Sequence, residues 1–543
     1  MATFTTSKAV GETIKVDVYT TYGYWKYNHN GSDSGVYSEG TNGTITITNV
    51  NGQFTIIPCD QQGVIIGGIR DLDLEESGVG NKITSINVTG LESLMVLNLY
   101  NNLLTTFDGT GLTNLDSLYL GKNLLTSFNT TGLANLDYLG LKNNQLTSFN
   151  GSGLNSLNYL DLEDNQLTYF TKGSDLTNLE VLTLTNNQLT SFNGSDLNNL
   201  TVLFLDNNML TTFDGTSLSS LTYLKLDSNP LVEFISGDMN SYSRQISFNG
   251  WNGWNINTLE TFDGSGLTIL TVLNLANTQI TTFNGNGLTS LTELNLSDNQ
   301  LNSFTKGTGL GNLTELLLND TQLQTFNGTG MSNLIYLILN NSQLLTFNGE
   351  SLSNLTQLYL NNNQLSTFNG SGMPNLTQLY LQNNQLSTFN GSGMSNLTQF
   401  HLYNNLLTSF DCTVISGLTT HLLLNDNKLT TFNGTGMSNL NYLYLSNNLI
   451  TTLSGLSSLT SLNFLMLDGN QITPSMNNSI LNQLNSNDGT GGYFNSINGR
   501  TSVSTADYNS LISKEWELFG LDLVTPTYPL PDTSIRVGIR GNF

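Results

Sequence analysis

Residues 354–376 read NLTQLYLNNNQLSTFNGSGMPNL, and their spacing fixes what the chain can fold into. Leu355, Leu358, Leu360, Asn363, Leu365 and Phe368 form a skeleton that returns 21 residues later as Leu376, Leu379, Leu381, Asn384, Leu386 and Phe389. One such unit is too short to bury its own apolar face, so it is stable only when stacked on copies of itself. The Asn position recurs at 102, 123, 144, 165, 187, 208, 229, 257, 299, 363, 384, 405, 427, 448 and 470, with Thr278, Thr321 and Ser342 standing in, which makes 18 coils. The length of 543 residues therefore reflects growth along one axis rather than several separate cores.

Each position has a physical task. The leucines three and five residues before the Asn point inward from a short parallel strand. The Asn amide satisfies backbone groups where the chain leaves that strand, and Thr or Ser does so more weakly. Phe128, Phe149, Phe170, Phe192, Phe213 and their equivalents make a second apolar column on the opposite side. Turns such as Asn150-Gly151-Ser152-Gly153 supply the positive φ angles that closing a coil demands.

The pattern LxxLxLxxNxL resembles that of leucine-rich repeat proteins over about three quarters of the chain. The resemblance implies an α/β-type solenoid, mostly β: a horseshoe with a parallel sheet on its concave face, working in recognition rather than catalysis. The cysteine-rich caps of extracellular animal members are missing, since Cys59 and Cys412 are the only two cysteines. The Phe-containing, Asn/Gly/Thr-rich variant resembles surface and virion proteins of Bacteroidetes-type bacteria and their tailed phages.

Three regions are expected. Residues 1–68 alternate in short runs such as Thr13–Tyr19 and Gly43–Thr48, as a small antiparallel β-domain would, capping or docking. Residues 69–474 form the solenoid, interrupted near 235–256 where the coil spacing stretches to 28 and Tyr242, Arg244, Trp251 and Trp254 cluster. That insertion is either a binding loop or a tolerated one. Residues 475–543 read as an α/β cap with an extended tail, including a helix over Asn478–Asn485 and a closing strand near Leu518–Val524.

Charge narrows the partners. Sixteen Lys+Arg against 40 Asp+Glu give a net charge of -24, which opposes nucleic-acid binding. No signal peptide is visible at the N-terminus and no run is apolar enough for a membrane span. The surface nevertheless has an extracellular character, with charged residues only 10% of the chain. A virion surface or an extracellular location reached without a signal reconciles the two.

Residues six, four and two before each Asn face the concave side. Along the later coils these are Tyr336, Gln357, Tyr359, Gln378, Tyr380, Gln399, His401, Tyr403, Tyr442 and Tyr444. Tyrosines beside fixed amides suit the C–H faces and hydroxyls of a glycan, and equally a protein loop. The insertion's Tyr242, Arg244 and Trp251 form a secondary candidate site. Glu293, Asp298, Glu315 and Asp320 form a weak calcium candidate, because the loop spacing of known calcium motifs is absent. No cofactor is otherwise expected, and no nucleophile or phosphate-loop motif is present, so the chain is not expected to be an enzyme.

The expected function is a virion-attached adhesin, tail- or capsid-fibre-like. Its concave face takes a host cell-surface glycan or protein, and a terminal domain docks on other virion structural proteins. The alternatives are a secreted or surface adhesin resembling internalins, and a purely structural decoration protein.

Overall fold

In this computed structural model, residues 91–235 and 267–486 are described continuously. Shorter stretches lie outside them, namely the strands before residue 89, residues 245–247, 259–262, 492–495, 510–514 and 516–519. The chain forms two compact units, residues 1–270 and 271–543. Each is a mostly β parallel solenoid, and together they hold about 19 turns against the 18 coils counted from the sequence.

In residues 1–270 an antiparallel sheet runs Ser32–Asp33, Tyr24–His29, Gly52–Cys59, Ala2–Thr6, Ile83–Asn87. A further strand, Thr13–Thr20, pairs antiparallel with Ile45–Thr48 and with Ile69–Asp73. Ile69–Asp73 is also the first rung of the parallel ribbon, pairing on its other edge with Val96–Asn98. The exposed end of the ladder is thereby closed by a strand of opposite direction. From there Ser117–Tyr119, Tyr138–Gly140, Tyr159–Asp161 and their successors pair in register through Gln245–Ser247.

In residues 271–543 a parallel ribbon of the same kind runs from Val272–Asn274 to Phe464–Met466. It continues into Gly492–Asn495 and Trp516–Phe519, both parallel. The region expected as a cap therefore adds two more rungs, although it lacks the LxxLxL pattern. Phe494 takes the inward leucine position in register with Leu465, Leu518 follows it, and Tyr493 stacks on Phe464 with centroids 4.7 Å apart. The intervening helix spans Pro474–Asn485, and Thr473 caps it by accepting from the Met476 N–H. It buries Ile480, Leu481 and Leu484.

The leucines at the inward positions are fully buried in nearly every coil. Burying each contributes roughly 2 kcal/mol. The Asn column works as a ladder. Asn384 Nδ2 donates to the Leu360 and Leu381 carbonyls at 2.9 and 3.0 Å, and its Oδ1 accepts from the Leu365 N–H at 3.0 Å. One residue earlier the backbone is left-handed, as at Asn362, Asn383 and Asn404, with φ of 58°, 59° and 54°. Asn and Asp tolerate that region best, and one or the other fills the position in most coils.

Ring spacing gives the local curvature. Tyr359 and Tyr380 lie 4.6 Å apart on the sheet face, whereas Phe347 and Phe368 are 6.0 Å apart on the opposite column. Stacked coils spread by more on the Phe side, so the sheet face is concave.

Candidate recognition surface

The ribbon's register sets side chains in columns. Tyr336, Gln357, Gln378 and Gln399 stand directly above one another, as do Ile338, Tyr359, Tyr380 and His401. Alternation along each strand buries the leucine between them and turns both columns to the concave side.

The columns are not equivalent. Tyr359 and Tyr380 stack face to face at 7° between planes and pack with Leu317, Ile338 and Tyr336. Tyr336 meets Tyr359 edge-on, and His401 meets Tyr380 edge-on. The hydroxyls are held as well: Tyr380 Oη donates to Gln399 Oε1 at 2.7 Å, and Tyr359 Oη donates to Gln378 Oε1 at 3.2 Å. These tyrosines therefore form a packed ridge presenting edges and hydroxyls rather than open ring faces. Burial pushes the Tyr380 phenol up to about 12, with Tyr359 adding to it.

Burial, with His421 as a lesser contribution, draws His401 down to about 4. The ring is thus neutral at physiological pH, one nitrogen a donor and the other an acceptor. His421 is also lowered by burial, and it stacks on Tyr442 at 4.4 Å.

A trough of about 1060 Å³ opens on this face. Of the ten expected concave residues, Tyr359, Tyr380, Gln399, His401, Tyr403 and Tyr444 line it; Tyr336, Gln357, Gln378 and Tyr442 do not. One rim is a group the sequence reading missed, the left-handed residues just before the Asn column. Asn362, Asn383 and Asn404 each donate to the amide one coil back, at 2.6, 2.5 and 2.8 Å. Their proximity to the buried Asn is the signal that could have found them. Asp426 and Asp468 are the only carboxylates lining the trough, and no Lys or Arg lines it. Gln382 Oε1 is buried there without a hydrogen-bond partner.

The other candidates fare differently. Tyr242, Arg244 and Trp251 lie outside the described residues. Glu293 and Glu315 stand opposite each other on adjacent strands, and burial together with Glu293 raises Glu315. Burial and Asp320 likewise raise Asp298. Among the described residues no three His, Cys, Asp or Glu side chains gather to hold a metal ion. In the earlier coils some acidic residues are paired with lysines: Glu163 with Lys142 at 3.4 Å, and Asp206 with Lys225 at 3.3 Å.

Residues 353–393 match the family model for leucine-rich repeats in two copies. No curated protein sequence matches the chain. Among solved structures, YopM from Yersinia enterocolitica is 21% identical, with 74% of this chain and 87% of that one aligned, at a TM-score of 0.55. Toll in the Toll–Spatzle complex of Drosophila is 18% identical over 79% of this chain and 55% of that one, at 0.51. An internalin, inlF, from Listeria monocytogenes is 20% identical over 62% and 85%, at 0.38. No helix among the described residues is long and apolar enough to cross a membrane. The chain has the leucine-rich repeat fold, and over residues 353–393 it carries that family's sequence pattern as well.

Proposed function

We propose that the chain is a non-enzymatic recognition protein that binds a polypeptide in the trough between Asn340 and Asp468. The observation that carries this reading is the lining itself: amides, tyrosines and neutral histidines, with Asp426 and Asp468 as the only charges. Fixed amides match the N–H and C=O groups of a peptide, and the two carboxylates favour a basic side chain in the partner. A glycan is a poorer match, because sugars stack on open ring faces and those of Tyr359 and Tyr380 cover each other. The surface composition, 10% charged with a net charge of -24, suits display outside the cell, on a bacterial surface or on a virion.

The test is a binding assay on bacterial cells with the full chain and a Tyr403→Ala/Tyr444→Ala variant. Circular dichroism confirms that the variant stays folded. Binding that the variant loses, and that protease treatment of the cells abolishes, supports the reading. Loss on periodate oxidation of surface glycans, with protease without effect, refutes the polypeptide assignment. Undiminished binding by the folded variant removes the site from the trough.

A further inference from the structure

Residues 362–373 and 383–394 have the same sequence, NNQLSTFNGSGM, yet the fold treats their Asn-Gly pairs differently. The Gly370 N–H donates to the Asn390 carbonyl at 2.8 Å. The Gly391 N–H has no hydrogen bond among the described residues, because the outer strands pair two by two and Thr388–Asn390 ends its pair. The same contrast recurs two coils earlier, where Gly328 donates to the Asn348 carbonyl at 2.9 Å and Gly349 has no such bond. Asn369 and Asn390 are both exposed, and each Oδ1 accepts from the N–H two residues on, at 3.1 Å. The backbone amide of the glycine is the difference at the attacking nitrogen; at the side chains, Asn390 Nδ2 donates to Asn369 Oδ1 at 2.9 Å.

We propose that Asn390, and by the same geometry Asn348, are sites of spontaneous deamidation, while Asn369 and Asn327 are protected. The Gly391 nitrogen gives up its proton and bonds to Asn390 Cγ. The bond from Cγ to the side-chain nitrogen breaks, and ammonia leaves with that proton, closing a five-membered imide. Water then opens the imide at either carbonyl, giving aspartate or isoaspartate, with no oxidant or reductant involved. At Gly370 the attacking N–H must first leave its carbonyl partner, which slows the reaction about fivefold at the net strength of one backbone hydrogen bond.

Two constraints keep the susceptible pair in place. The Asn side chain closes the turn, and a Cβ at Gly391 would sit 2.6 Å from Val414 Cγ2. Conversion at Asn390 replaces the amide that donates to Asn369 Oδ1 at 2.9 Å with a carboxylate facing that oxygen. The outer surface gains charge and loses a rung contact.

The full chain is incubated folded, and in parallel unfolded in urea, at mildly alkaline pH. Non-tryptic fragments that separate the two copies are then quantified by mass spectrometry. The expected result is faster conversion at Asn390 than at Asn369 in the folded chain, by about fivefold, and equal rates in the unfolded one. Equal rates in the folded chain, or faster conversion at Asn369, overturn the proposal. So does an absence of folded-state conversion at both sites while the unfolded chain converts, since the turn would then protect them alike.

Discussion

Replacing Asn384 with alanine tests whether the amide ladder, rather than leucine burial alone, holds one coil to the next. The side chain makes three bonds at 3.0 Å or less: to its own coil at Leu381, to the previous coil at Leu360, and from the Leu365 N–H. Alanine leaves a buried N–H and two carbonyls without these partners. At about 1–3 kcal/mol for an orphaned buried donor, with less for the carbonyls, the expected cost is about 3 kcal/mol. Threonine at the same position should cost less, because Thr321 shows what a hydroxyl retains: its Oγ1 donates to the Leu318 carbonyl three residues back, at 3.0 Å. Because a stacked array opens locally, hydrogen exchange of amides between residues 360 and 386 is the suitable assay, with urea unfolding alongside. The neighbouring rungs have their own bonds, such as Leu386 N–H to Asn405 Oδ1, so protection there should change little. A cost below about 1 kcal/mol, or threonine no better than alanine, would refute the reasoning.

Two further outcomes follow from the same coordinates. Thr321 and Ser342 face each other across one rung at 2.9 Å where other coils carry Asn, so Thr321→Asn with Ser342→Asn should restore the ladder and raise stability by about 1 kcal/mol, read from the urea midpoint. His401, held down to about 4 when folded, should cost stability as the solution is acidified. Below its ordinary value the unfolded chain takes up a proton that the folded chain refuses, so the penalty grows from near pH 6.5 down to about pH 4 and is absent above that window. It should reach about 2 kcal/mol after allowance for partial solvent contact. His401→Gln should therefore flatten the difference in stability between pH 7.5 and 4.5; an unchanged difference would count against it.

The repeat made the interior legible. Leu358, Leu360, Asn363 and Phe368 have roles dictated by spacing alone, and the buried column follows directly. The concave face was legible in position but not in behaviour. Which residues share a column follows from the period, but stacking Tyr359 on Tyr380 depends on rotamers that a one-dimensional pattern does not contain. The repeat distance did hold a hint, since parallel rungs about 4.8 Å apart bring aligned rings to stacking distance. The rim of Asn362, Asn383 and Asn404 escaped notice because the residue before the ladder Asn has to be read as left-handed before its side chain can be aimed. The rung at Gly492–Asn495 escaped for another reason, since it keeps the strand geometry without a leucine to announce it, whereas Trp516–Phe519 overlaps the start of the closing strand expected near Leu518–Val524.

The two-by-two pairing of the outer strands also has a mechanical consequence. Within residues 271–543 the concave ladder links every successive rung of the repeat array, whereas Thr325–Asn327 is joined to Thr346–Asn348 and Thr367–Asn369 to Thr388–Asn390 as separate pairs. Such a strip is stiff along one edge and slotted along the other. A bending load concentrates at the slots, between Asn348 and Thr367 for example, where no outer-strand pairing joins the coils and fewer bonds, such as Gln364 N–H to the Leu344 carbonyl at 3.0 Å, resist. Compliance in this protein is thus periodic, with a soft joint at alternate coils, and the trough can widen or narrow there without breaking a backbone hydrogen bond of its floor.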